Sequence, residues 1–115
     1  MSVFDVGPYN NNSVDYPDYA KKLGNRIKLK KSDVGILVCG SGTGMAISAN
    51  KIKTIRAAVC YNMKSTRLSR QHNNANIIAL GSRLTKKSLS LKLVELFLKT
   101  KFDGGRHLKL SLIHI

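Results

Sequence analysis

Residues 34–51 read Val34-Gly35-Ile36-Leu37-Val38-Cys39-Gly40-Ser41-Gly42-Thr43-Gly44-Met45-Ala46-Ile47-Ser48-Ala49-Asn50-Lys51, and no other stretch limits the fold as tightly. The apolar run Val34 to Val38 predicts a strand buried on both faces. Glycines at 40, 42 and 44 predict a tight turn. From Met45 to Lys51 the pattern predicts a helix with Met45, Ala46, Ile47 and Ala49 turned inward. A strand that feeds a Gly-rich turn into a helix N-terminus gathers free backbone N–H groups and the positive end of the helix dipole at one spot. Such a spot suits a small anion, and Cys39 sets a thiol at its edge.

The remaining segments continue the same rhythm. Ser2 to Val6 alternates in polarity and predicts a short strand bounded by Gly7-Pro8. A polar loop follows. Pro17 to Ile27 is predicted helical, with proline and Asp18 in the first turn and Tyr16, Ala20, Leu23 and Ile27 at helical spacing. Gly24 weakens that helix modestly. Lys28 to Asp33 is a basic connection. Arg56 to Cys60 predicts a strand, Met63 to Gln71 a helix, and Asn76 to Leu80 a buried strand ended by Gly81. Thr85 to Leu98 is the clearest helix: Leu89, Leu93, Leu96 and Phe97 form one stripe, with Lys86, Lys87, Lys92 and Lys99 outside. The order β-α-β-α-β-α-β-α predicts an open parallel sheet with helices on both faces. Ligands bind such sheets at the carboxyl ends of the strands, where Gly7, Cys39, Cys60 and Gly81 all fall.

A chain of 115 residues, 43% hydrophobic, is enough for one domain with one core. No apolar run is long enough for a membrane span and the N-terminus lacks a signal-peptide layout, so a soluble cytoplasmic protein without membrane contact is expected. Lysine and arginine number 20 against 6 acidic residues, a net charge of +14. A basic nucleic-acid-binding module is therefore the alternative of another class. Against it, the lysines are scattered and no zinc spacing or aromatic sheet motif accompanies them. Cys39 and Cys60 fit no zinc pattern and are expected as reduced thiols.

Cys39 has two readings: a small hydrophobe at a strand end, or a base beside amides that hold an enolate oxygen, the pairing that proton abstraction next to a carbonyl requires. The Gly40–Gly44 loop is neither a Walker A loop nor the dinucleotide fingerprint, so it holds one small anion or is simply a tight turn. His72 ends a helix, as a C-cap or as a proton donor to a sugar oxygen, with Gln71 and Asn73 flanking it. Arg106 follows Gly104-Gly105 and either binds phosphate or is solvated.

These segments together resemble the family of ribose-5-phosphate isomerase B and the galactose-6-phosphate isomerase subunits. The resemblance rests on Asp15-Tyr16-Pro17-Asp18-Tyr19-Ala20, Gly35 to Gly44, Ala49-Asn50-Lys51, Ile55-Arg56-Ala57, Leu68-Ser69-Arg70-Gln71-His72-Asn73, Gly81-Ser82-Arg83 and Gly104-Gly105-Arg106-His107, in family order. It implies a Rossmann-like three-layer α/β/α sandwich, working as a homodimer or homotetramer with the site at the subunit interface. The implied activity is the interconversion of ribose 5-phosphate and ribulose 5-phosphate in the pentose phosphate pathway, without metal or cofactor. By the same resemblance Cys39 is the base that passes a proton through a cis-enediolate, and the Gly40, Gly42, Thr43 and Gly44 amides hold the enediolate oxygens. Ser41 assists ring opening. His72, with Asn73 beside it, protonates the ring oxygen from the neighbouring subunit. Tyr16 lines the sugar, and Arg83 and Arg106 bind the phosphate.

The chain also departs from the family pattern. Family members open with a strand carrying Gly-x-Asp-His-x-Gly and a helix, whereas this chain starts at what looks like their second strand. Where a further phosphate-binding arginine is expected, Leu110 stands. The expectation is an incomplete isomerase domain over residues 1–109, with an atypical apolar tail over 110–115. An inactive fragment or pseudoenzyme of the same family is the alternative.

Overall fold

A computed structural model of the chain describes residues 3–7 and 16–104. Helices and strands alternate along it as α1 (Tyr16–Lys28), β1 (Gly35–Cys39), α2 (Thr43–Asn50), β2 (Ala57–Val59), α3 (Met63–Gln71), β3 (Ile77–Gly81) and α4 (Lys87–Lys99). The strands form one parallel sheet in the order β1-β3-β2. Its register sets Gly35 level with Ile77 and Cys39 level with Gly81.

Side chains alternate across a strand, so each strand feeds two layers. Leu37, Ile77 and Ala79 pack with Ala20, Leu23 and Ile27 of α1 and with Met45, Ala46 and Ala49 of α2. Ile78 and Leu80 face the other way, with Cys60, Ala75, and Leu93 and Phe97 of α4. Every residue of β3 is buried. Burial of each large side chain here contributes about 1.5–3 kcal/mol. The stripe expected on the last helix is the one that packs: Leu93, Leu96 and Phe97 are buried and Leu89 is half-buried.

Three expectations are corrected. The described part of the first predicted strand, Val3 to Val6, forms no strand. There the Asp5 carboxylate accepts the Gly7 N–H at 2.8 Å, a local turn that competes with a ladder. Phe4 lies instead under the Arg26 guanidinium of α1, 3.7 Å from ring centre to Cζ. Secondly, β1 is buried on one face only: Ile36 is 43% exposed and Val38 55%. They share a face with Ile78 and Leu80, but among the described residues β1 is an edge strand and that layer gathers over β3 and β2. Thirdly, Ile47 points outward at 59% exposure, because Met45, Ala46 and Ala49 already occupy the inward arc of α2.

Gly24 is more than a weak point in α1. A Cβ there would stand 2.5 Å from Ile52 Cδ1, so its absence lets α1 sit close against the segment after α2. The two sheet edges also differ. At β2 the Asn50 side chain takes the place of a neighbouring strand: its Oδ1 accepts the Ala57 N–H at 2.7 Å and its Nδ2 donates to the Ala57 carbonyl at 2.9 Å. Replacing Asn50→Ala removes both bonds and is expected to lower unfolding free energy by about 1–3 kcal/mol, read from urea denaturation.

Candidate active site

β1 delivers Cys39 to the carboxyl end of the sheet, where the thiol is half-buried. Its Sγ accepts the Gly42 N–H at 3.1 Å. Gly42 is the N-cap of α2 and has φ 82°, a left-handed conformation that favours glycine. A side chain there would also meet the backbone of β3, with Leu80 C at 3.1 Å. Beneath the loop Gly81 is under the same constraint: a Cβ on it would lie 2.7 Å from the Ser41 carbonyl oxygen. The loop and the end of β3 therefore touch backbone to backbone.

Two hydrogen bonds close that contact. Ser82 N–H donates to the Cys39 carbonyl at 2.8 Å, and Arg83 N–H donates to the Gly40 carbonyl at 3.0 Å. The Arg83 side chain runs along Gly40, so that Cδ, Nε and Cζ all lie 3.4 Å from the position of an added Cβ. The Ser41 hydroxyl accepts the Thr43 N–H at 3.3 Å. Ser41, Thr43 and Arg83 are exposed at the mouth, and the Gly44 N–H, in the first turn of α2, has no partner among the described residues. One loop thus brings together a thiol, a hydroxyl, amide donors and a guanidinium. This can remove a proton beside a carbonyl and hold the resulting oxyanion.

Other expected site residues lie elsewhere. His72 is half-buried and is the C-cap of α3, its N–H donating to the Leu68 carbonyl. The chain enters β3 only five positions later, so His72 and the exposed Asn73 sit at the amino ends of the strands. The length of β3, about 13 Å at 3.3 Å per residue, separates that end from Cys39. Tyr16 opens α1. Arg106 lies outside the described residues, as does the tail over 110–115. Among the described residues no three His, Cys, Asp or Glu side chains group as metal ligands, and no helix is long and apolar enough to cross a membrane.

The second thiol has a different character. Cys60 is buried, and desolvation pushes its thiol up from the ordinary cysteine range, against the opposing pull of hydrogen bonding with Thr66 and Ser69. At Gly42 and Gly81 close backbone contact requires glycine: Gly42 belongs to the glycine loop of the sequence, and Gly81 to a strand end where ligands bind and to the Gly81-Ser82-Arg83 segment, but neither pattern shows the contact between the loop and the end of β3.

Fold and site together define an α/β protein of the Rossmann-like type, with a thiol and amide donors gathered at the carboxyl end of its parallel sheet. The sequence matches the family model described as Ribose/Galactose Isomerase over residues 1–111, and the chain belongs to that family. It is 41% identical over 107 residues to ribose-5-phosphate isomerase B of Escherichia coli, spanning 93% of this chain and 72% of that one. Ribose-5-phosphate isomerase B of Thermotoga maritima superposes with a TM-score of 0.96 at 48% identity, over 99% of this chain and 79% of that one. The Mycoplasma genitalium enzyme with bound ribulose-5-phosphate gives 0.88 at 41% identity, over 96% and 74%. The chain thus spans roughly three quarters of these relatives' length.

A thiol reagent such as iodoacetamide is expected to modify Cys39 in the native protein and to leave Cys60 intact, read by peptide mass. Cys39→Ala then removes the fast phase, and denaturation exposes Cys60.

Proposed function

We propose that this chain interconverts ribose 5-phosphate and ribulose 5-phosphate, as an aldose–ketose isomerase of the pentose phosphate pathway working in the cytoplasm. The observation that carries this reading is the glycine loop folded against the Cys39 sulfur, with Arg83 at its mouth. In the proposed reaction the Cys39 thiolate takes the proton from C2 of the open-chain aldose and returns it at C1, while the O2 hydroxyl proton passes to O1 so that the carbonyl moves from C1 to C2. Between the two transfers a cis-enediolate forms, and the loop amides from Gly40 to Gly44 stabilise its oxygens. Ser41 assists ring opening, Tyr16 lines the sugar, and Arg83 and Arg106 receive the phosphate by charge-assisted hydrogen bonds. No metal or cofactor enters this scheme.

His72 supports the further proposal that two copies build each site. Within one chain it stands at the wrong end of the sheet from Cys39, so a His72 that protonates the ring oxygen, with Asn73 beside it, has to come from a second copy. A homodimer or homotetramer with sites at the interface meets that need. The reading of a chain that keeps the fold without turnover is favoured by one observation, the outer edge of β1, unpaired among the described residues, with Ile36 and Val38 exposed beside it.

Two variants separate these readings. Cys39→Ala and His72→Ala are each expected to lower kcat roughly 100- to 10,000-fold. Mixed, unfolded and refolded together in equal amounts, they regain about a quarter of wild-type activity, because half of the dimers are mixed and each of those holds one intact site of two. Wild-type turnover with no recovery on mixing contradicts the shared site. A wild-type chain that binds ribose 5-phosphate and does not isomerise it favours the second reading.

A further inference from the structure

At the amino end of the sheet, away from the glycine loop, two arginines lie close together with no acidic partner among the described residues. Arg56 opens the way into β2, and its Nε donates to the Asn74 carbonyl at 2.7 Å and its Nη1 to the Thr54 carbonyl at 3.0 Å. Arg70, in the last turn of α3, donates from Nε to the Thr100 carbonyl at 3.1 Å and from Nη1 to the Ala75 carbonyl. Its guanidinium stacks on Phe97, 5.0 Å from the ring centre. Among the described residues neither makes an ion pair, and Nη2 of each has no protein partner. Burial lowers the pKa of both, and the nearby charge of Arg56 lowers that of Arg70 further. The two positive charges are therefore partly desolvated and mutually repelling, and among the described residues their hydrogen-bond partners are carbonyl dipoles.

Beside them is a cleft of about 430 Å³, lined by Asn50, Ile55, Arg56, Ala57, Ala58 and Ala75. Arg56 lines it directly, and Arg70 is tied to it through the Ala75 carbonyl. Arg56 Nε and Arg70 Nη1 brace the turn at 74–76 while Arg56 Nη1 and Arg70 Nε hold Thr54 and Thr100, which leaves charge and donors for something else. We propose that this cleft is a second anion site, which takes the phosphate group of a small phosphorylated metabolite. A phosphate dianion in the cleft accepts from Nη2 of Arg56, and the nearby Arg70 charge adds to the attraction. The alanine wall beside Arg56 leaves room for a short carbon skeleton. Within one chain the cleft is separate from the loop at Cys39, because the length of β3 lies between them.

The test is a titration of inorganic phosphate into ¹⁵N-labelled protein at constant ionic strength, following Arg Nε–H and backbone amide signals. The Arg56 and Arg70 Nε–H signals and the Ala57 and Ala58 amides are expected to shift saturably, with a Kd of about 1 mM or tighter. That curve is compared with the one at Ser41 to Gly44: two different Kd values mark a second site, one shared Kd overturns it, and absence of any shift at Ser41 to Gly44 counts against the isomerase reading instead. Ala58→Asp, which puts a carboxylate in the cleft, is expected to weaken the binding by about tenfold or more, and the neutral Ala58→Asn to leave it within about threefold. No saturable shift at the two arginines in the wild-type protein overturns the proposal, as does equal affinity in Ala58→Asp. Should Ala58→Asp fail to fold, the wild-type titration decides alone.

Discussion

The backbone contact between the glycine loop and the end of β3 is the constraint on which the site depends. Ser41 lies against Gly81, and Gly42 lies against Leu80, so closely that neither glycine can carry a side chain without displacing the loop. That closeness lets the Ser82 and Arg83 amides reach the Cys39 and Gly40 carbonyls. It also sets Gly42 in the left-handed turn from which its N–H reaches the Cys39 sulfur. The loop amides, the Cys39 backbone and the Arg83 backbone therefore hold one arrangement because main-chain contacts fix it.

The rest of the fold serves to hold that contact in place. β3 is buried on both faces and carries Gly81 as a rigid floor. α1 and α2 cover one face by apolar packing and α4 does the same on the other, while α3 buries the polar Thr66 and Ser69 beside Cys60. Asn50 closes the β2 edge with its amide, whereas the outer edge of β1 has no such cover among the described residues. Family membership and the close structural similarity to ribose-5-phosphate isomerase B from Thermotoga maritima agree with this architecture.

Much of this was legible in the sequence. The run into Cys39, the spaced glycines and the stripe of Leu93, Leu96 and Phe97 are local patterns with local physical causes, and they reappear as β1, the loop and α4. Other features depend on what lies next to a residue. The apolarity of Ile36 and Val38 says nothing about whether a layer covers them. Val3 to Val6 alternates like a strand, yet Asp5 turns back onto Gly7. The need for Gly81 arises from Ser41, forty positions earlier in the chain (81 against 41), and leaves no mark in its own neighbourhood. Similarly, a motif order shared with a family names His72 without telling which end of the sheet it occupies; the α3-to-β3 connection decides that.

The central claim is that the Cys39 sulfur performs the proton transfer. Alkylation by iodoacetamide, with residual isomerisation of ribose 5-phosphate and Cys39 modification followed in the same samples, tests it most directly. The account predicts that activity and unmodified Cys39 fall together with one rate constant, and that ribose 5-phosphate slows both. Full modification of Cys39 with activity retained would contradict it.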